Sequence, residues 1–476
     1  MAGLKSLVKD TAIYGMSSII GRFLNYLLVP IYVSAMSAKS GGYGVVTEVY
    51  AWTALLLVIL VYGMETTFFR FVNKAEENPQ RVYSTSLLML GFTSGLFVLL
   101  CLVFLQPISA AMGYADHPWY VGMMLIVVAM DAFQCIPFAY LRYQKRPYRF
   151  VFFKLLFIVL NITLNIVYYL FMDGSDPGAA FAINLICTSI IMVLMLPLVK
   201  IKAGFDVGLM KRMLNYSYPI LILGIAGILN QVADKIIFSH VYPGDDAKAQ
   251  LGIYGAASKI AMVMALLTQA FRYAYEPVVF SKSRDKDSKE FYAKAMKYFL
   301  IFTLLAFLCV MFYIDILKHL IMPNPEYWGG LSVVPIVMAA EILMGIYFNL
   351  SFWYKLIDKT IWGAVFSFAG CAVLLAINIL LVPRFGYMAC AWAGVAGYGI
   401  AMLLSYFVGQ RKNPIDYDIR GMMQYVVVAA VLYGVSEWLP LTNEWAKMGI
   451  NTLLLVVFVA MIVKKENFNL KALLKR

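Results

Sequence analysis

Six ionisable residues lie deep inside long apolar stretches of this 476-residue chain: Arg22, Asp131, Asp234, Lys235, Arg272 and Glu341. A charge at the centre of a bilayer costs about 2.5–3.5 kcal/mol on insertion scales. Six facing lipid would cost roughly 15–20 kcal/mol, more than the about 5–15 kcal/mol that holds a typical fold together. They must face one another or a wet cavity. The arginine fork bonds two phosphate oxygens at once, so Arg22, Lys235 and Arg272 point to a chamber for an anion. Asp131, Asp234 and Glu341 would balance that charge or couple transport to H+ or Na+. A plainer reading stands beside this one, in which Asp131 and Glu341 pair with Arg22 and Arg272 only to fix helix packing, and Lys235 neutralises its neighbour Asp234.

Helical spacing gathers polar partners around these charges. Arg22, Asn25 and Tyr26 share a face, as do Asp131 with Gln134, and Asn230 and Gln231 with Asp234, while Lys235 follows Gln231 by four. Thr268, Gln269, Arg272 and Glu276 form another such face, since residues three or four apart are neighbours on a helix. Lys154 stands near the end of its stretch and is expected to snorkel to the surface. Glu65 and Glu276 are expected at the interface, and Glu48 and Lys259 near the outer ends of their spans. His117, His240 and His319 fall in outer loops or mouths, which favours surface histidines over a metal site. The six cysteines, Cys101, Cys135, Cys187, Cys309, Cys371 and Cys390, form no CxxC and read as small apolar core residues.

The elements that must position these groups are membrane spans. The chain is 62% apolar and 14% charged, against about 45–50% and about 25% in soluble domains. A span needs about 20 apolar residues, and fourteen stretches qualify: 11–36, 44–66, 82–106, 118–141, 149–172, 177–199, 213–240, 253–277, 298–317, 328–353, 360–382, 388–408, 421–439 and 446–463. The first is too long for a signal-peptide core and reads as span 1. The net charge of +13 is unevenly placed. With both termini inside, the outer loops hold only Lys39, Lys248, Lys318, Arg384 and Lys447 of the 39 Lys and Arg, and five lie within spans. All the others lie inside, as the positive-inside rule requires, so the basic loops are topology anchors and a nucleic-acid partner is excluded. The longest loop, 280–297, is predicted to be a solvated surface helix. No loop has room for a soluble catalytic domain, and no cofactor or metal is expected.

The chain repeats itself at an offset of 211 residues: Tyr43, Gly44, Ala54, Leu55, Leu56, Tyr62, Glu65 and Phe69 recur as Tyr254, Gly255, Ala265, Leu266, Leu267, Tyr273, Glu276 and Phe280. Each half then holds six spans, a parallel repeat of the kind found in alternating-access carriers. The predicted fold is an all-α polytopic membrane protein: one six-helix lobe over 1–205, a second over 206–412, and two further helices with a basic tail over 413–476.

Three segments carry a family resemblance: Tyr43-Gly44 opening span 2, Gly63-Met-Glu-Thr-Thr-Phe-Phe-Arg70 closing it, and Asn378-Ile-Leu-Leu-Val-Pro383-Arg-Phe-Gly386-Tyr-Met-Ala389 between spans 11 and 12. They resemble the polysaccharide exporters, or O-antigen-type flippases, of the multidrug/oligosaccharidyl-lipid/polysaccharide exporter superfamily. The first half departs from the Pro-x-x-Gly turn with Asp173-Gly-Ser-Asp-Pro177-Gly178. The resemblance implies two six-helix lobes around a central cavity in a bacterial inner membrane, with both termini cytoplasmic. It also implies transfer of an undecaprenyl-diphosphate-linked glycan from inner to outer leaflet, beside glycosyltransferases or a glycan polymerase of the same pathway. Arg22, Lys235 and Arg272 would hold the diphosphate, Asn25, Gln134, Asn230 and Gln231 would meet sugar hydroxyls, and Gln269 would line the same site. Similar flippases of lipid-linked cell-wall precursor carry arginines on spans 1 and 8, matched here by span in Arg22 and Arg272. The alternatives are such a precursor flippase and a cation-coupled multidrug antiporter. A membrane polymerase or ligase would need a large outer loop, which the chain lacks.

Overall fold

Prolines and short polar caps set where the helices begin. Pro79, Pro118, Pro147, Pro177 and Pro325 each occupy a first turn, where the missing N–H costs nothing. Asn78, Asp176, Asp206, Asn324, Asp418 and Asn443 each accept a hydrogen bond from a first-turn amide, satisfying donors that a helix start leaves unpaired. The Leu209 amide, 2.9 Å from the Asp206 carboxylate, holds that carboxyl below the usual aspartate range, with Arg81 at 3.5 Å adding to the effect.

The computed structural model of the chain describes residues 26–282, 287–357, 359–439 and 443–466. Among them all regular structure is helical, and 13 helices are long and apolar enough to cross a membrane. These coincide with spans 2 to 14 of the hydropathy reading. Of span 1, the described part holds α1, Leu28–Ala35. Several boundaries differ from expectation, among them the start of the span-8 helix at Ala247. The span-7 helix begins at Val207 and the span-9 helix at Ser288, so residues 288–297 are the first turns of a spanning helix and form no separate surface helix. The reason is a buried stripe, Tyr292, Met296 and Phe299, which the many lysines on the other faces obscure.

The described chain divides into two compact units. The first comprises the residues up to Gly255 with Val382–Arg384. It contains α2 (Gly42–Val61), α3 (Met64–Val72), α4 (Pro79–Val103), α5 (Leu105–Ala111), α6 (Pro118–Tyr143), α7 (Pro147–Ile166), α8 (Pro177–Met195), α9 (Val207–Val241) and the start of α10 (Ala247–Lys282). Helix α6 is its hub, packed against α2, α4, α7 and α8, and α9 lies along α2. A π-turn over Val167–Phe171 ends α7, so the first-half junction does differ from the second, where α15 (Ile361–Phe385) passes through Gly386 directly into α16 (Tyr387–Lys412).

The second unit comprises Ala256–Leu381 and the residues from Phe385 on. Between α11 (Ser288–Phe312) and α15 lie α12 (Ile314–Ile321), α13 (Val334–Leu350) and α14 (Phe352–Leu356); α13 packs against α16, and α11 against α13, α17 (Ile419–Trp438) and α18 (Glu444–Lys465). Asn451 is buried between the last three: it accepts from Ser436 at 2.6 Å and donates to the Phe312 carbonyl at 3.0 Å. At the other end of these helices Glu466 binds Lys297 at 2.6 Å and Tyr425 at 2.7 Å. In both units the outward faces are broadly apolar, as Phe92, Leu99, Leu380, Val431 and Leu453 illustrate. Exposed patches on this scale belong in lipid.

Candidate functional site

A cavity of about 530 Å³ lies within the first unit. Its walls are the second half of α2 with α3, the second half of α6, the first half of α7, the end of α8 and the first half of α9. The polar lining is Glu65, Thr66, Asp131, Gln134, Arg142, Lys154 and Thr188, set among the rings of Phe138, Phe150, Phe153 and Phe157. A pocket of this size and make-up, mainly apolar with a few convergent polar groups, is what small-ligand sites look like.

The backbone arranges these groups deliberately. Helix α2 stops at Tyr62 (φ 35°) and Gly63 (φ 71°), and a β-carbon on Gly63 would lie 2.8 Å from Ile220 of α9. Glycine is therefore required there on two counts, handedness and space. The break turns Glu65 toward Arg142, and the two form an ion pair at 2.5 Å. Both side chains are more than a third exposed, so the pair contributes only about 0–1 kcal/mol. Its effect is to occupy the Arg142 charge.

Lys154 overturns its expectation. Although exposed, it lines the cavity, with Nζ 4.1 Å from the centre of the Phe138 ring, a cation–π contact. Among the described residues it makes no ion pair. Phe150, Phe153 and Phe157 flank it on the same face of α7 and line the cavity with it, which is the signal that sequence reading passed over. Glu65, expected at the interface, likewise lines the cavity.

Asp131 and Gln134 share the cavity face of α6, as their spacing implied. Gln134 donates to the Thr188 carbonyl at 3.3 Å; Thr188 in turn donates to Asn184 at 3.3 Å, and Asn184 to the Tyr50 hydroxyl at 3.0 Å. Thr188, Asn184 and Tyr50 were not singled out from sequence, because uncharged polar residues inside spans carry no distinctive pattern.

The other sequence candidates fall elsewhere. Arg22 and Asn25 lie outside the described residues. Lys235 is bound to both oxygens of Asp234 at 3.0 Å and to the Gln231 carbonyl at 3.2 Å, while the Tyr254 hydroxyl donates to Asp234 at 2.6 Å. This is the neutralised arrangement. Asn230 donates to the Ala226 carbonyl at 2.9 Å, and Gln231 to that of Gly227 at 3.5 Å. In the second unit Arg272 is exposed on α10, its guanidinium carbon 5.3 Å from the Phe348 ring centre. Gln269 and Glu341 are half-buried on α10 and α13.

Comparison with known proteins defines first the class. The fold matches that of a lipid II flippase, MurJ, in an inward closed conformation, with a TM-score of 0.75 and 14% identity over 97% of this chain and 100% of that one. It also matches a multidrug resistance MATE-family transporter of the MOP superfamily in its inward-facing conformation, with a TM-score of 0.66 and 14% identity over 82% and 93% of the two chains. The fold is thus shared with these two transporters. A curated relative, the membrane protein YabM of Bacillus subtilis (strain 168), is 22% identical over 446 residues, 85% of this chain and 80% of that protein. The family described as polysaccharide biosynthesis protein matches residues 7–280, more than half of the chain, and the chain belongs to that family.

Proposed function

We propose that the protein is an alternating-access flippase that moves a lipid-linked oligosaccharide, on undecaprenyl diphosphate, from the inner to the outer leaflet of a bacterial inner membrane. The observation that carries this reading is Lys154: an ammonium group lining an aromatic-walled cavity, with no carboxylate paired to it among the described residues. Asp131 and Glu65 line the same cavity and act on Lys154 electrostatically without a direct ion pair, and an anionic head group would make the direct contact that they do not. A cavity of about 530 Å³ holds a diphosphate and a few sugars but no long polyprenyl chain, so the tail stays in lipid. Gln134 and Thr188, which line the cavity, would meet sugar hydroxyls by exchanging their present partners, and Asp131 would exchange H+ or Na+ as the head group enters and leaves. Arg22 and Arg272 are proposed as further contacts of the diphosphate on their residue type alone.

The positive-inside distribution puts the Glu65–Arg142 end of the cavity on the cytoplasmic side, where the lipid-linked glycan is made. The test is transport by purified protein in liposomes containing a fluorescent undecaprenyl-diphosphate glycan. Lys154→Met and Arg272→Ala should each lower flipping at least about tenfold, the order of one lost charge-assisted contact, at normal abundance. Wild-type flipping by Lys154→Met removes the assignment. One observation favours a second reading, a cation-coupled drug antiporter: Asp131 and four phenyl rings line one cavity, a setting that also suits an aromatic cation. A deletion strain that loses drug resistance while its surface glycans stay intact would decide for it.

A further inference from the structure

At the end of α2 opposite the cavity, Glu48 is fully buried. The Tyr114 hydroxyl donates to its Oε2 at 2.6 Å, and the Lys248 ammonium binds the same oxygen. Lys248 also lies 3.1 Å from the Tyr114 oxygen and 4.4 Å from the centre of its ring. The three residues come from α2, from the link between α5 and α6, and from the first turn of α10, positions up to 200 residues apart.

Glycines bring these helices to backbone contact. A β-carbon on Gly44 would overlap the Lys248 carbonyl oxygen, one on Gly252 would lie 3.0 Å from the Gly44 nitrogen, and one on Gly255 would lie 2.6 Å from the Thr47 hydroxyl. Yet the seam is not satisfied internally: Glu48 Oε1 and Thr47 Oγ1 are buried without a hydrogen-bond partner among the described residues. A permanent packing joint would be better built from apolar side chains, because desolvating a charge pair costs about as much as the pairing returns. What a buried pair with unsatisfied oxygens provides is reversibility. If the helices part, water reaches both charges and the two idle oxygens, which offsets the lost contacts.

We propose that Glu48, Lys248 and Tyr114 form a latch that shuts the outer end of this unit while its cavity end is open, and that the latch breaks and re-forms in each transport cycle. This rests on the alternating-access reading above. The test uses the full-length protein in membranes. The β-carbon positions of residues 47 and 255 are 3.3 Å apart, close to the about 3.5–4.5 Å of a disulfide. Thr47→Cys/Gly255→Cys should therefore cross-link on mild oxidation and stop export until reductant is added. Separately, Thr47→Cys should be nearly inert to an impermeant maleimide. Glu48→Gln and Lys248→Met should each raise its labelling rate about tenfold, the scale of a charge-assisted hydrogen bond, and Tyr114→Phe should raise it less. The swap Glu48→Lys/Lys248→Glu should restore protection, which a misfolded protein would not do. Unchanged labelling in both single variants, or undiminished export by the cross-linked protein, overturns the latch. Labelling and cross-linking as expected in a protein that carries no lipid-linked glycan would support the latch and count only against the cargo.

Discussion

Alanine substitutions at three glycines should separate by what each new methyl meets. At Gly44 it would collide with the Lys248 carbonyl oxygen, a backbone atom that cannot rotate away. The start of α10 must then move as a body, pulling the Lys248 ammonium away from the buried Glu48 carboxylate. Overpacking alone costs about 1–3 kcal/mol, and a weakened bond to a buried carboxylate adds about 1.5–3 kcal/mol, so a loss of at least about 3 kcal/mol is expected. At Gly255 the methyl meets the Thr47 side chain, with Oγ1 at 2.6 Å and Cγ2 at 3.0 Å. A small shift of that side chain relieves it, and the loss should be about 1 kcal/mol. At Gly95 nothing lies within 4 Å, and alanine should be neutral or stabilising, by up to about 1 kcal/mol. Thermal midpoints of the purified variants in one detergent give the ranking. If Gly44→Ala unfolds no earlier than Gly95→Ala, the backbone contact between α2 and α10 is not as described.

Asn451→Leu should cost about 1–2 kcal/mol, since interhelical hydrogen bonds in membranes average about 0.6 kcal/mol each and two are lost; Ser436→Ala should cost about half as much, both read as thermal midpoints. At the start of α9 the Leu209 amide and Arg81 hold the Asp206 carboxyl below its ordinary value. The stability it lends is present above the unfolded aspartate pKa of about 3.9 and is lost as pH falls through the lowered folded value. Asp206→Asn should flatten the acid limb of a plot of midpoint against pH and leave the neutral limb parallel to wild type.

How far sequence led depended on the range of the interaction. Spans were legible because hydrocarbon imposes a length and a composition on each helix by itself. Asp131 and Gln134 were found because their relation is local, three residues on one helix. Lys154 was misplaced because a lysine near a span end normally reaches for water; the cavity brings water to it, and the cavity walls come from helices far apart in the chain. The Glu65–Arg142 and Glu48–Lys248 pairs span 77 and 200 residues, so no local spacing could match their members. Even the repeat gave no help at Glu48: the offset of 211 sets Lys259 at its position in the second half.

The last two helices stand outside the duplication, yet Asn451 at one end and Glu466 at the other fasten them to α11. They therefore ride with the second unit as fixed cargo. Cutting the chain after α16 would strip Lys297 of its Glu466 and Asp418 partners and leave the Phe312 carbonyl bare. A version of this protein without the last two helices would need its α11 rewritten before it could stand alone.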